Sequence, residues 1–153
     1  MPAMQRLDVG KTTDGVWFSF TARDLVPIKE PVPNHICVRV ARWNNPAHRA
    51  AKQKAYEPFL DEYKSGKATE TTATEAETEA IADAILIDWR GVTEEDQTTE
   101  IPHSRAKAIE TLLDKQLYEF RYFVIEAATT SRNFVADATA RAEGNLLRSS
   151  SGS

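Results

Sequence analysis

The chain is poor in the residues that staple or specialise a fold. Cys37 is the only cysteine among 153 residues, which excludes an intramolecular disulfide framework and a cysteine-based zinc ribbon and fits a reducing compartment. The six glycines are scattered, and Gly10-Lys11-Thr12 lacks the upstream glycine of a phosphate-binding loop. No run approaches the roughly 18–20 uncharged apolar residues that cross a bilayer. The first eight residues, Met1 to Asp8, lack the apolar stretch of a signal peptide, so none is expected. Only His35, His48 and His103 offer near-neutral bases, and none stands in sequence beside a plausible nucleophile in a recognisable arrangement. His35 and Cys37 would share a strand face, yet two ligands do not make a zinc site. No catalytic residue, bound metal or cofactor is therefore expected.

What is present is ordinary globular usage, with 41% hydrophobic and 27% charged residues, in a length suited to one domain spanning 1–153. The expectation is a small cytoplasmic domain without membrane association. A formal net charge of −4 conceals strong asymmetry: residues 1–56 carry +5, residues 57–100 carry −10 and residues 101–153 carry +1. Such a dipolar chain can steer partners or associate head to tail, so a homo-oligomer stays open; otherwise the acidic block is solvated surface.

Residues 1–45 read as a β element. Asp14-Gly15 signals a turn before Val16-Trp17-Phe18-Ser19-Phe20, in which Val16, Phe18 and Phe20 share a face. Pro27, Pro31 and Pro33 exclude a helix or central strand between there and Ile36. Ile36 to Arg42 alternates, with Ile36, Val38 and Val40 inward, and the two strands are expected to pair. A helix over 46–66 starts with Asn45 as N-cap and Pro46 at its first position. Ala47, Ala51, Ala55, Phe59 and Tyr63 recur on one side of it, and Ser65-Gly66 stops it. Residues 67–80, dominated by Ala, Thr and Glu, read as a flexible acidic segment, either a linker or the frayed start of the next helix. The 81–148 part reads as helical. It begins with an Ile81, Ile85, Trp89 stripe ended by Gly91, then an acidic loop. Ser104 caps a helix bearing Ile109, Leu112 and Leu113, and Asp114 caps another running to about Ala128. A last helix, from about Arg132, carries Phe134, Ala138, Ala142 and Leu146, before a disordered tail, 149–153. The fold class is α+β and mainly α: a small N-terminal hairpin or sheet followed by four to five helices.

Four side chains read as fold anchors, Trp43, Trp89, Phe120 and Val124. On the helix after Asp114, Leu117, Phe120, Val124, Ala127 and Ala128 fall in one arc at about 100° per residue and form the core face. Tyr118, Tyr122 and Ile125 form a second apolar ridge beside the polar stripe, and with Arg121 they are the candidate partner-binding residues. Either the last helix covers this ridge or a second copy or partner helix does. A basic face over Arg42, Arg49 and Lys52, within the stretch Arg39 to Lys54, is the best case for nucleic acid. With Trp43 the only aromatic nearby and an overall pI near 5.4, nucleic acid is not the expected partner.

The order of features resembles the tail assembly chaperones of long-tailed, siphovirus-like bacteriophages. The resemblance rests on Gly15 to Phe18 and on Val40-Ala41-Arg42-Trp43-Asn44-Asn45-Pro46-Ala47. It continues through Asp88-Trp89-Arg90-Gly91-Val92, Ile101-Pro102-His103-Ser104, the segment from Leu112-Leu113-Asp114 to Phe123-Val124-Ile125-Glu126-Ala127-Ala128, and Asn133-Phe134. Gln97 stands where a glycine is usual, and the Ala/Thr/Glu stretch is longer. The resemblance implies a non-enzymatic protein of virion morphogenesis, made in the bacterial host cytoplasm and absent from the mature virion. Its implied partners are the tape-measure protein and the tail-tube protein. The other reading is a small structural tail or connector component, or a nucleic-acid-associated protein using Arg39 to Lys54.

Overall fold

In the computed structural model the described residues are 6–135. The last helix through Ala138, Ala142 and Leu146 and the tail 149–153 lie outside them. Before the first strand stands a short helix, α1 (Val9–Asp14), whose N-cap Asp8 accepts from Lys11 N–H at 3.2 Å. The first 45 residues are thus not purely β. Gly15 then turns the chain with φ 85°, a left-handed conformation that glycine alone adopts freely. A Cβ there would sit 3.0 Å from the Val40 carbonyl.

The two expected strands form and pair. β1 (Val16–Ser19) runs antiparallel to β2 (Cys37–Val40), with Val16 opposite Val40 and Phe18 opposite Val38. Those four side chains are buried on one face, as alternation requires. Beyond the hairpin that the sequence suggests, a third strand, β3 (Leu86–Arg90), lies on the other side of β2. Trp89 faces Val38, and the register slips between Arg39 and Val40 so that Leu86 faces Val40.

This strand corrects the expected helix through Ile81, Ile85 and Trp89. α4 (Glu70–Ala84) ends one residue before Ile85, and β3 begins one residue after it. A spacing of four residues satisfies a helical period and, equally, twice a strand's period of two. The stripe therefore carried no information on where one gave way to the other. Burial of Leu86 and Trp89 on the sheet decides it. Of the two readings of the acidic segment 67–80, the start of the next helix is the one that forms, because α4 occupies most of it, but it is packed and not frayed or wholly solvated. Thr69 caps that helix by accepting from Thr72 N–H at 3.2 Å. Ala76, Thr78 and Ala80 are fully buried, and α4 packs along α2. Small side chains supply little hydrophobic signal but allow close approach of two helices.

α2 (Pro46–Tyr56) starts as expected: Asn45 Oδ1 accepts from His48 N–H at 2.9 Å, and Pro46 occupies the first turn. Pro58 then breaks the expected single helix into α2, a 3-10 turn and α3 (Leu60–Lys64). Ala47 is exposed, and the inward position of that turn belongs to His48. α5 (Arg105–Leu113) is capped by Ser104, and α6 (Tyr118–Thr129) follows a 3-10 turn. In place of a helix at Arg132, Ser131–Phe134 form another 3-10 turn. It leads Val135 into a bridge with Leu7. α4, α5 and α6 share one core with the sheet: Ile81 and Ile85, Ala108 and Leu112, and Phe120, Phe123 and Val124 meet Phe18, Val38, Leu86 and Trp89.

Of the anchors, Phe120 and Val124 are buried, and Trp43 is half-buried with its N–H donating to the Ala128 carbonyl at 2.8 Å. Trp89 is the largest of the buried anchors. Its Nε1–H donates to the Ile101 carbonyl at 2.8 Å, and its ring stands edge-on to His103 and Phe120. β3 is also the terminal strand, and side chains rather than a fourth strand take the backbone groups of Trp89. Its N–H donates to Asp88 Oδ1 at 2.8 Å and its carbonyl accepts from Arg90 at 2.9 Å. Arg90 pairs in turn with Asp88 at 2.8 Å.

His48 is fully buried. Its Nδ1 accepts from Asn44 N–H at 2.8 Å, so the neutral ring carries its proton on Nε2, which has no partner among the described residues. Burial pushes its pKa down from 6.5 to about 4, and the Lys52 charge adds to the shift. In the unfolded chain the ring takes its proton near 6.5. The contribution of this site to stability is therefore complete above pH 6.5 and is lost as pH falls from there through about 4.

Two outcomes are expected. Trp89→Ala loses about 3–5 kcal/mol in denaturant unfolding, because a cavity and an unpaired Ile101 carbonyl remain; a melting temperature within a degree or two of wild type overturns the anchor role. His48→Gln keeps a capping acceptor without a titrating ring. Its unfolding free energy should fall less between pH 6.5 and 4 than that of the wild type, by a slope approaching one proton. Identical pH profiles overturn the assignment.

Candidate functional site

The ridge predicted on α6 splits in two. Phe120, Phe123, Val124, Ala127 and Ala128 are buried, so the core face is as expected with Phe123 added. Leu117, expected in that face, is 43% exposed. It precedes the helix with φ −116° and ψ 26°, so the helical period does not extend to it. Tyr118 and Tyr122 are 56% and 62% exposed, and their rings meet edge to face at 5.7 Å. Leu113, at 39%, closes α5 on the same corner of the chain. The four lie open within ten residues, at the corner where the chain leads from α5 into α6.

The other two candidates on this helix belong to the fold. Ile125 packs against the core. Arg121 donates to Thr78 Oγ1 at 2.6 Å and to the Leu112 carbonyl at 3.3 Å, and lies 3.9 Å from Glu77. Its guanidinium braces α6 to α4 and to the end of α5. Thr78 is the buried partner that sequence reasoning missed, hidden in a segment read as solvated.

The basic face is also partly absorbed. Arg49 donates to the Asn44 carbonyl at 3.0 Å and Lys52 to Asn44 Oδ1 at 3.3 Å. Asn44 sits in the left-handed region at φ 62°, and these bonds, with the His48 acceptor, hold it there. Arg42 reaches Ser131 Oγ at 3.5 Å, while its Nε is buried without a partner among the described residues. Trp43 stands edge-on to His48 at 4.4 Å. Arg49 and Lys52 therefore secure the turn into α2, while Arg42 reaches the segment after α6.

One arrangement was not legible in the sequence. Ser19 Oγ lies 2.8 Å from His35 Nδ1. The hydroxyl is only 5% exposed and accepts from Ala22 N–H at 3.0 Å, so the pair ties the end of β1 to the chain before β2. His103 Nε2 lies 3.2 Å from the Leu86 carbonyl. Cys37 is buried, its Sγ accepting from Val32 N–H at 3.4 Å. Among the described residues no three of His, Cys, Asp and Glu gather as metal ligands. No helix there is long and apolar enough to cross a membrane.

Neither the curated proteins nor the solved structures contain a match to this chain. A family model described as YdaY prophage protein matches residues 43–145, from the turn into α2 through the sheet's third strand and the ridge-bearing α6. That span is roughly two-thirds of the sequence and holds every candidate residue but Arg42, so the chain belongs to the YdaY prophage protein family.

Proposed function

We propose that this prophage protein is a tail assembly chaperone, a non-enzymatic module that binds the tape-measure protein and helps to recruit tail-tube subunits. The observation that carries the reading is the open corner of Leu113, Leu117, Tyr118 and Tyr122. Apolar side chains this large, left open beside a well-filled core, suit a surface that shields a partner's apolar helix. Tyrosine adds area with a polar tip and few rotors to order on binding. The ordered resemblance from Gly15 to Phe134 and the prophage family supply the phage context. A nucleic-acid role is less well supported, because Arg49 and Lys52 turn back onto Asn44 instead of forming an open stripe.

The Tyr118→Ala, Tyr122→Ala double variant should fold with a melting temperature near that of wild type and lose co-purification with the tape-measure protein of the same prophage. A large drop in melting temperature, with the remaining folded protein still binding normally, returns the ridge to the core and removes the proposal's basis. No retarded complex with duplex DNA is expected at physiological salt; one that appears and weakens steeply as salt rises assigns the basic stretch to phosphate contacts instead.

A further inference from the structure

At the end of the β2–β3 ladder the chain opens a groove of about 860 Å³. Beyond Gly91 the polypeptide folds into a two-stranded arm. Thr93 and Glu100 face each other across it, with Glu94 N–H donating to the Thr99 carbonyl at 2.9 Å and Ile101 N–H to the Val92 carbonyl at 2.7 Å. Alternation puts the side chains of Thr93, Thr98 and Glu100 on one face of the arm, and that face is one wall. The opposite wall is Pro31-Val32-Pro33, with Ile36 at its foot. The walls meet at Gly91, where φ is 77° and a Cβ would overlap the His35 carbonyl. Only glycine lets the two backbones touch there.

Both walls are preshaped. The prolines fix one backbone, and a turn from His35 N–H to the Val32 carbonyl at 3.2 Å closes it. On the arm, the Thr99 hydroxyl donates to Asp96, and with the Thr99 N–H at 2.8 Å and the Thr98 N–H at 2.9 Å it holds that carboxyl's pKa down at about 2. Asn34 and Gln97, one on each wall, are both held at left-handed φ, 64° and 61°. A groove already in its bound shape costs little ordering entropy to fill.

Two charged side chains, Arg90 and Glu100, line the groove. Arg90 is neutralised by its pair with Asp88 at 2.8 Å, which leaves the Glu100 carboxylate as the charge the groove presents. Glu94, Glu95, Asp96 and Glu100 are exposed on the arm, and none pairs with a lysine or arginine among the described residues. Among the described residues Glu100 accepts from Gly91 N–H at 3.3 Å through one oxygen, and its carboxylate lines the groove. Small-molecule sites enclose most of their ligand, whereas this cleft lies open between an apolar and a hydroxyl-lined wall. The chain's own basic stretch, Arg39 to Lys54, is committed to β2 and α2, so a second copy has no extended basic segment there to offer.

We propose that this groove binds an extended segment of a partner protein. The segment sets a lysine or arginine against Glu100 and small apolar residues against Val32 and Pro33. The test is a nuclear magnetic resonance titration of the full chain with acetyl-Pro-Val-Lys-Val-Pro-amide and with the same peptide carrying glutamate for lysine. The lysine peptide should shift the amide signals of Gly91, Thr93 and Thr98, and the glutamate peptide should bind at least about tenfold more weakly. Glu100→Gln keeps the Gly91 bond and should weaken the lysine peptide about tenfold, with signals elsewhere unmoved. Equal responses to the two peptides, silence of those amides at millimolar peptide, or an unchanged Glu100→Gln titration overturns the proposal. None of these results depends on the α5–α6 corner.

Discussion

Much of the architecture hangs on Ile85, the single residue between α4 and β3. Its N–H closes the last turn of the helix on the Ile81 carbonyl at 2.9 Å, and its own carbonyl accepts from Ala41 N–H at 2.8 Å. One fully buried residue thus serves two secondary structures of different period. With no loop to absorb error, the pitch of α4 sets the register of β3, and the register of β3 sets where Trp89 enters the core. The slip at Arg39/Val40 is the accommodation: Arg39 faces Asp88 and Val40 faces Leu86, so Ile87 is passed over and the mismatch is taken up as one extra residue in β3.

Local chemistry was readable wherever one residue decides an outcome. Asn45 with Pro46 and Ser104 named two helix starts, and the alternation of Val38 and Val40 named a strand with its inward face. The fold class, α+β and mainly α, follows from those elements. Reading failed where the decision is tertiary. Leu86 to Arg90 is a strand because β2 offers it a partner, and nothing within those five residues excludes the helix that precedes them. Residues 70–80 form a helix because α2 lies alongside, and alanine and threonine leave almost no periodic trace of such a contact.

The candidate surfaces divide along the same line. The tyrosines of α6 were legible because a helical projection separates them from Phe120 and Val124. Arg121 lies between the two sets in that projection, and only the position of Thr78 on another helix shows that its charge is spent internally. The groove beside Gly91 was invisible for a stronger reason. Its walls are some sixty residues apart in the chain, and each alone reads as an irregular connection, one rich in proline and one in acid. The sign of charge on the arm was available early; the apolar wall opposite it was not.

The short-range bonding of Trp89 has a bearing on how the protein survives crowding. A three-stranded sheet with an open side is a template for further strands, and in a cell filled with identical nascent chains that template is a hazard. Here the hydrogen-bonding groups of Trp89, the fourth residue of the five-residue edge strand β3, are occupied by Asp88 and Arg90, its immediate neighbours. They are further locked by attraction between the two side chains. An incoming strand must first break a charge-assisted pair and then bury what is left of it. The β3 edge is therefore guarded by chemistry carried within three consecutive residues, while the β1 edge is covered at Trp17 by its bridge to Ile28. Contact with other molecules is left to side chains on the helices and the arm, where it can be selective.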